Sequence, residues 1–145
     1  MNTKSVIQKL KSIFYIALSI QVILLFSVAF KWINLMPNMA NVSLTLERYA
    51  LLITLLSIPG ALKLFSIIMK RNKYPESEEE TTILYIKAFA TRFTILFIVS
   101  SMNIFLFALS FNQNFLLLTL ATFTAYIFTF PSDSYLKARN DENNN

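Results

Sequence analysis

Charged residues along this chain fall in clusters that leave three long stretches bare. No Lys, Arg, Asp or Glu lies between Ile13 and Phe30, between Tyr49 and Leu62, or between Phe93 and Ser132. A soluble helix must show water one polar face, so uninterrupted apolar runs of this length belong in a bilayer. The first run, Ile13 to Phe30, follows Lys4, Lys9 and Lys11 and holds 18 uncharged residues. At 1.5 Å per residue it spans about 27 Å, close to the hydrocarbon thickness. A cleaved signal peptide with Ser27-Val28-Ala29 as its cleavage site is the rival reading. The run is longer than such a segment's usual apolar region, and Phe14, Tyr15 and Phe26 make it bulky.

Trp32 falls where an interfacial aromatic anchor belongs, ahead of Pro37, Asn38 and Asn41. Asn41-Val42-Ser43 matches a glycosylation acceptor, a triplet common by chance. The second run, Tyr49 to Met69, carries Pro59-Gly60 near its middle and Lys63 beyond them. A proline there removes one backbone hydrogen bond, which predicts a kink around Ser57 to Gly60 and makes Pro59 and Gly60 a candidate hinge. Lys70-Arg71-Asn72-Lys73, Tyr74-Pro75 and an acidic cluster from Glu76 to Glu80 then break the pattern. Ser77 with Glu80 reads as a capping box that starts a third helix, with Lys87 and Arg92 in its amphipathic opening turns.

Phe93 to Ser132 is uncharged over 40 residues, too long for one crossing and long enough for two. Ser110-Phe111-Asn112-Gln113-Asn114 interrupts it and predicts a tight helical hairpin. A final helix closes at Pro131, a short surface helix follows from Ser132 to Asn140, and the tail 141–145 is expected to be disordered. The expectation is an all-α integral membrane protein: one antiparallel four-helix domain over 1–140, with spans near 12–32, 48–69, 90–110 and 114–131 and helix three extended into the cytoplasm.

Composition sharpens this. Only 14% of residues are charged and 55% are hydrophobic, against about 25% charged in an ordinary soluble domain. The net charge of +5 sits beside apolar runs, which points to orientation and anionic lipid headgroups rather than nucleic acid. With the amino terminus inside, the cytoplasmic flanks hold Lys4, Lys9, Lys11, Lys70, Arg71, Lys73, Lys137 and Arg139. The outer loops hold only Lys31 and Arg48, so both termini are expected in the cytoplasm.

Catalytic chemistry finds little material. The chain has no cysteine and no histidine, and all eight acids fall outside the spans. A proton-coupled transporter normally needs an intramembrane ionisable group, and a serine nucleophile needs a base. Ser57 and Lys63 lie about 240° apart around one helix and do not share a face. No catalytic, cofactor-binding or metal-ligating residue is assigned, and the expectation is a non-enzyme.

Two polar features remain. Lys63 and Arg92 should each lie one to two turns inside the cytoplasmic boundary, as a basic pocket for an anionic lipid headgroup or as independently snorkelling side chains. Gln21, Ser57, Ser100, Ser101, Asn103 and Thr122 form a polar layer at mid-membrane. It reads as a substrate or water path, or as interhelical hydrogen bonds worth about 0.6 kcal/mol each.

Ser57-Ile58-Pro59-Gly60-Ala61-Leu62-Lys63-Leu64-Phe65 and the closing Phe130-Pro131-Ser132 resemble features of small four-helix membrane proteins of Bacteroidetes-type bacteria. The resemblance implies a bacterial inner-membrane location and supplies no active site. The functional expectation is an accessory or interaction subunit, either a homo-oligomer or part of a larger membrane complex. The alternative is a small transporter, flippase-like or anionic-lipid-binding protein.

Overall fold

A computed structural model describes residues 2–33, 43–71 and 77–143. Among them are five helices and no strand: α1 (Thr3–Ala29), α2 (Leu44–Lys70), α3 (Glu78–Ser110), α4 (Gln113–Ile127) and α5 (Asp133–Asn143). Of these, α1, α2 and α3 are long and apolar enough to cross a membrane. Lys73, Tyr74 and Pro75, and most of the loop before α2, lie outside the described residues.

Local chemistry sets the boundaries. Asn2 caps α1 by accepting the Lys4 N–H, Ser43 caps α2 from Leu46, and Ser77 caps α3 from Glu80 at 3.3 Å. Phe111 then turns left-handed at φ 49°, and Asn112 accepts the Asn114 N–H to begin α4. Only Phe111 and Asn112 therefore separate α3 from α4, at the polar interruption. Pro59 lies inside α2, whose helical backbone continues through it to Lys70.

Two elements depart from the expected boundaries. The fourth helix stops at Ile127, several residues short of Pro131, and at 15 residues it extends only about 22 Å. Its end is fixed by capping: Phe128 and Thr129 turn back onto the carbonyls of Ala125 and Tyr126, and Arg92 takes the Thr129 carbonyl. At the other boundary, α5 runs on through 141–143, where disorder was expected, and 144–145 lie outside the described residues.

The long helix α3 is the hub, packing against α1, α2, α4 and α5. Its partner α2 buries mainly small side chains, Ala50, Thr54 and Ala61, with Met69 near its end. Small residues let helix backbones approach closely where apolar surroundings provide no hydrophobic drive. One core cluster gathers Ile7, Phe14, Phe89, Leu96 and Tyr126; a second gathers Leu25, Ile104, Phe107 and Phe115. The outer surface is apolar as well: Ile16, Ile23, Leu52, Leu56, Ile98 and Leu117 are all exposed. Trp32 is 78% exposed at the end of α1.

Candidate functional site

Polar side chains are collected inside this bundle. Gln21 on α1 donates from Nε2 to the Phe97 carbonyl and to Ser101 Oγ, each at 3.0 Å. Asn103 on α3 donates to Thr54 Oγ1 of α2 at 2.8 Å. Thr122 returns its hydroxyl to the Leu118 carbonyl of its own helix. Of the polar layer read from the sequence, Gln21, Ser100, Asn103 and Thr122 are buried. Ser101 is half-buried on Gln21. Ser57 is half-buried and joins neither pair; the α2 contribution comes from Thr54, three residues earlier. Three residues of the layer, Gln21, Ser101 and Asn103, thus enter two separate hydrogen-bonded pairs, the second completed by Thr54. Gln21 Oε1, Ser100 Oγ, Asn103 Oδ1 and the Tyr126 hydroxyl are buried without a hydrogen-bond partner. Tyr126 lies next to Gln21, close enough to interact, without a hydrogen bond of ordinary geometry.

Where α2 ends and α3 begins, the structure separates Lys63 from Arg92. Lys63 is exposed, whereas Arg92 is only 6% exposed. Neither a shared basic pocket nor a freely snorkelling Arg92 describes this geometry. The cause is angular: Phe65 packs on Arg92, and Lys63, two residues back along α2, lies about 200° away around the helix. The Arg92 guanidinium carbon lies 4.0 Å from the Phe65 ring centre, and its Nη2 donates to the Thr129 carbonyl at 3.0 Å. Arg92 Nε is buried without a partner.

A cavity of about 410 Å³ opens beside this guanidinium, bounded by Phe65, Tyr85, Phe128, Phe130 and Tyr135 with Ser132 and Ser134. Phe65, Tyr85 and Tyr135 form a mutual aromatic cluster with ring centres 5.8 to 6.1 Å apart. The Tyr85 hydroxyl accepts the Ser132 N–H at 3.1 Å, which fixes the turn between α4 and α5. Lys11 reaches over the Phe130 ring at 5.6 Å, bringing α1 to the rim. Among the described residues, no Asp or Glu bounds the cavity.

The energetics of Arg92 are unusual. Desolvating one ion costs several kcal/mol. Against this stand one charge-assisted hydrogen bond of about 1.5–3 kcal/mol, a cation–π contact of about 2 kcal/mol, and the negative end of α4 at up to about 2 kcal/mol. These contacts compensate the charge without neutralising it, and they leave donors uncommitted. A larger cavity of about 480 Å³ lies among Asn2, Lys4, Glu78, Asp133 and Lys137. Its lining carries both signs of charge, so it offers no comparable selectivity.

Only Arg92 of this cavity was singled out from the sequence as a candidate ligand contact. Tyr85 stands seven residues before Arg92, two turns along one face, which is a readable signal. The aromatic and serine residues after α4 carry none, because their convergence depends on where that helix stops. Phe65 and the Phe130-Ser132 pair close the two stretches singled out by resemblance, and the fold brings both to this cavity.

At the opposite end, Glu47 of α2 accepts from Asn112 Nδ2 at 3.0 Å and from the Asn114 side-chain amide. This contact ties α2 to the α3–α4 hairpin. Comparison with protein-family models, with curated proteins and with solved structures finds no match.

Proposed function

We propose that this chain is a multi-pass protein of a bacterial inner membrane, non-enzymatic, acting as an accessory or interaction subunit. The observation that carries this reading is the inverted polarity of the bundle. Large apolar side chains such as Leu52, Leu55 and Leu56 face outward, while Gln21, Thr54 and Asn103 are enclosed. In water that arrangement is unfavourable, and in lipid it is the expected one. The least buried candidate span, α2, has 17% of its apolar window covered, leaving wide surface for acyl chains or partner helices.

Four crossings in an antiparallel arrangement, with both termini in the cytoplasm, fit the contact pattern. Phe14 meets Phe93 while Gln21 meets Phe97 and Ser101, so α1 and α3 run alongside in one direction. Thr54 meets Asn103 while Phe65 meets Tyr85, so α2 runs against α3. The shortness of α4 is offset by the turn from Phe128 to Pro131, in which Arg92 satisfies a carbonyl. An alkaline phosphatase fusion at Asn112 should be active and one after Lys73 silent; the reverse would overturn the topology. Crosslinking and pull-down from native membranes should recover a stoichiometric partner, or a homo-oligomer. A lone monomer under several detergents would overturn the accessory reading.

A second reading, an anionic-lipid-binding or flippase-like protein, is favoured by the buried and unneutralised Arg92. Transport by so small a bundle would need an oligomer and a rocking α2, with Pro59 and Gly60 as its hinge.

A further inference from the structure

We propose that the cavity beside Arg92 binds one monoanionic phosphate ester, the phosphodiester of a membrane lipid, and that Lys63 takes no part. The inference rests on the anionic-lipid reading and assigns its site and ligand class. Arg92 is more than nine-tenths buried, and its Nε is enclosed without a hydrogen-bond partner. Thr129 takes one donor of Nη2 and Phe65 covers one face of the guanidinium, while Arg92 lines the cavity, so the donors that Thr129 leaves free are what remains for a ligand. A guanidinium edge presents parallel N–H donors at the spacing of two phosphate oxygens.

The neighbouring groups complete an anion site. Because the Tyr85 hydroxyl accepts from the Ser132 N–H, its own proton is left for another acceptor. Ser132 and Ser134 hydrogen-bond to each other at the wall, keeping one hydroxyl hydrogen available beyond their mutual bond. Lys11, over the Phe130 ring, adds a second cation at the rim rather than inside. Asp133 acts on Tyr85 without a direct bond and lines the other cavity.

Charge decides the ligand class. One enclosed cation is matched by one negative charge; a phosphomonoester dianion would place surplus negative charge near Asp133. Phe128, 70% exposed at the cavity's edge, gives the outer wall the apolar character that glycerol and acyl chains require, and Ile127, 71% exposed, precedes it on α4. A lipid therefore enters with its phosphate toward Arg92 and its chains along the outside of α4.

The test is native mass spectrometry of the full chain, incubated separately with phosphatidylglycerol, phosphatidylcholine and inorganic phosphate. Wild type and Lys63→Ala should retain one phosphatidylglycerol each. Arg92→Gln should reduce retention by about tenfold or more, and Tyr85→Phe severalfold, as expected for loss of charge-assisted and neutral hydrogen bonds. Tyr85→Phe and Arg92→Lys keep the test decisive if Arg92→Gln fails to fold. Equal retention across wild type, Arg92→Lys, Arg92→Gln and Tyr85→Phe overturns the site, and loss in Lys63→Ala overturns the exclusion of that residue. Lys11 at the rim disfavours a choline cation beside the same phosphodiester, so equal retention of phosphatidylcholine overturns the anionic selectivity. Thermal protection by inorganic phosphate equal to that by phosphatidylglycerol overturns the lipid source. Failure of wild type to retain any lipid would instead remove the anionic-lipid reading itself.

Discussion

Asn103 donates its side-chain amide to the Thr54 hydroxyl at 2.8 Å, and both residues are fully enclosed between α2 and α3. This is the one side-chain hydrogen bond between those helices at mid-length among the described residues, so it fixes how they register. Thr54→Val keeps the shape and removes the acceptor, while Asn103→Ala removes the donor. A double-mutant cycle in detergent should give a coupling of about 0.6 kcal/mol and no more than about 1.7. A coupling indistinguishable from zero would mean that packing of Ala50 and Ala61 alone sets the interface.

The far end of the same helix makes a second, separable contact. Glu47 holds both Asn112 and Asn114, and Asn112 also caps α4. Glu47→Ala should therefore lower stability by about 1 kcal/mol, since the contact is partly exposed and screened. Glu47→Gln should lose less, because its amide oxygen can still accept from one asparagine. Thermal midpoints of the three proteins, at one detergent concentration, check the order.

The two contacts illustrate unequal legibility. Helix positions follow from hydrophobic run lengths, and the hairpin at Asn112 follows from a single polar interruption. Register is harder to read: counting residues from the expected boundaries picks Ser57, while packing between small residues selects Thr54. Arg92 is harder still. The depth expected from the sequence would let the side chain reach water, whereas in the fold Phe65, the Phe128–Thr129 turn and α5 enclose it. Nothing in the run of residues after Ile127 records that this helix stops where an arginine from α3 meets its carbonyls.

Tyr126 provides a test of opposite sign. Its ring packs against Phe14 and Phe93 in the main core, but its hydroxyl is buried without a hydrogen-bond partner beside Gln21. Tyr126→Phe keeps the ring and removes a desolvated polar atom, so it should preserve stability or raise it by about 1 kcal/mol. Reversible unfolding in mixed micelles measures this. A loss of stability would show that the hydroxyl makes a bond to Gln21 that the static geometry does not contain.

The absence of cysteine makes single introduced thiols unambiguous reporters of sidedness. Gln113 and Glu79 are both exposed, one at the α3–α4 hairpin and one at the start of α3. In whole cells Gln113→Cys should react with a membrane-impermeant maleimide, and Glu79→Cys only after permeabilisation. Lys137→Cys, on α5, should follow Glu79→Cys if α4 crosses the bilayer. Labelling of Lys137→Cys from outside would mean that α4, at 15 residues, does not complete a crossing.

Gly60 separates a structural glycine from a mechanical one. No glycine has a positive φ, and a Cβ built on Gly60 meets nothing within 4 Å. Neither backbone conformation nor crowding therefore requires glycine there, and Gly60→Ala should stabilise α2 by about 0.5–1 kcal/mol through the lower helix propensity of glycine. Pro59, immediately before it, already leaves one carbonyl of the preceding turn without its helical donor. If α2 bends at that point during function, glycine retains freedom that alanine would restrict. Hydrogen exchange of the amides around Leu56 to Leu62 then distinguishes the roles. Slower exchange in Gly60→Ala, with higher stability, is the expected outcome and marks the pair as a flexible joint. Unchanged exchange with the same gain in stability would leave no joint at Gly60, and α2 would be a rigid strut between the Glu47 clamp and the Arg92 cavity.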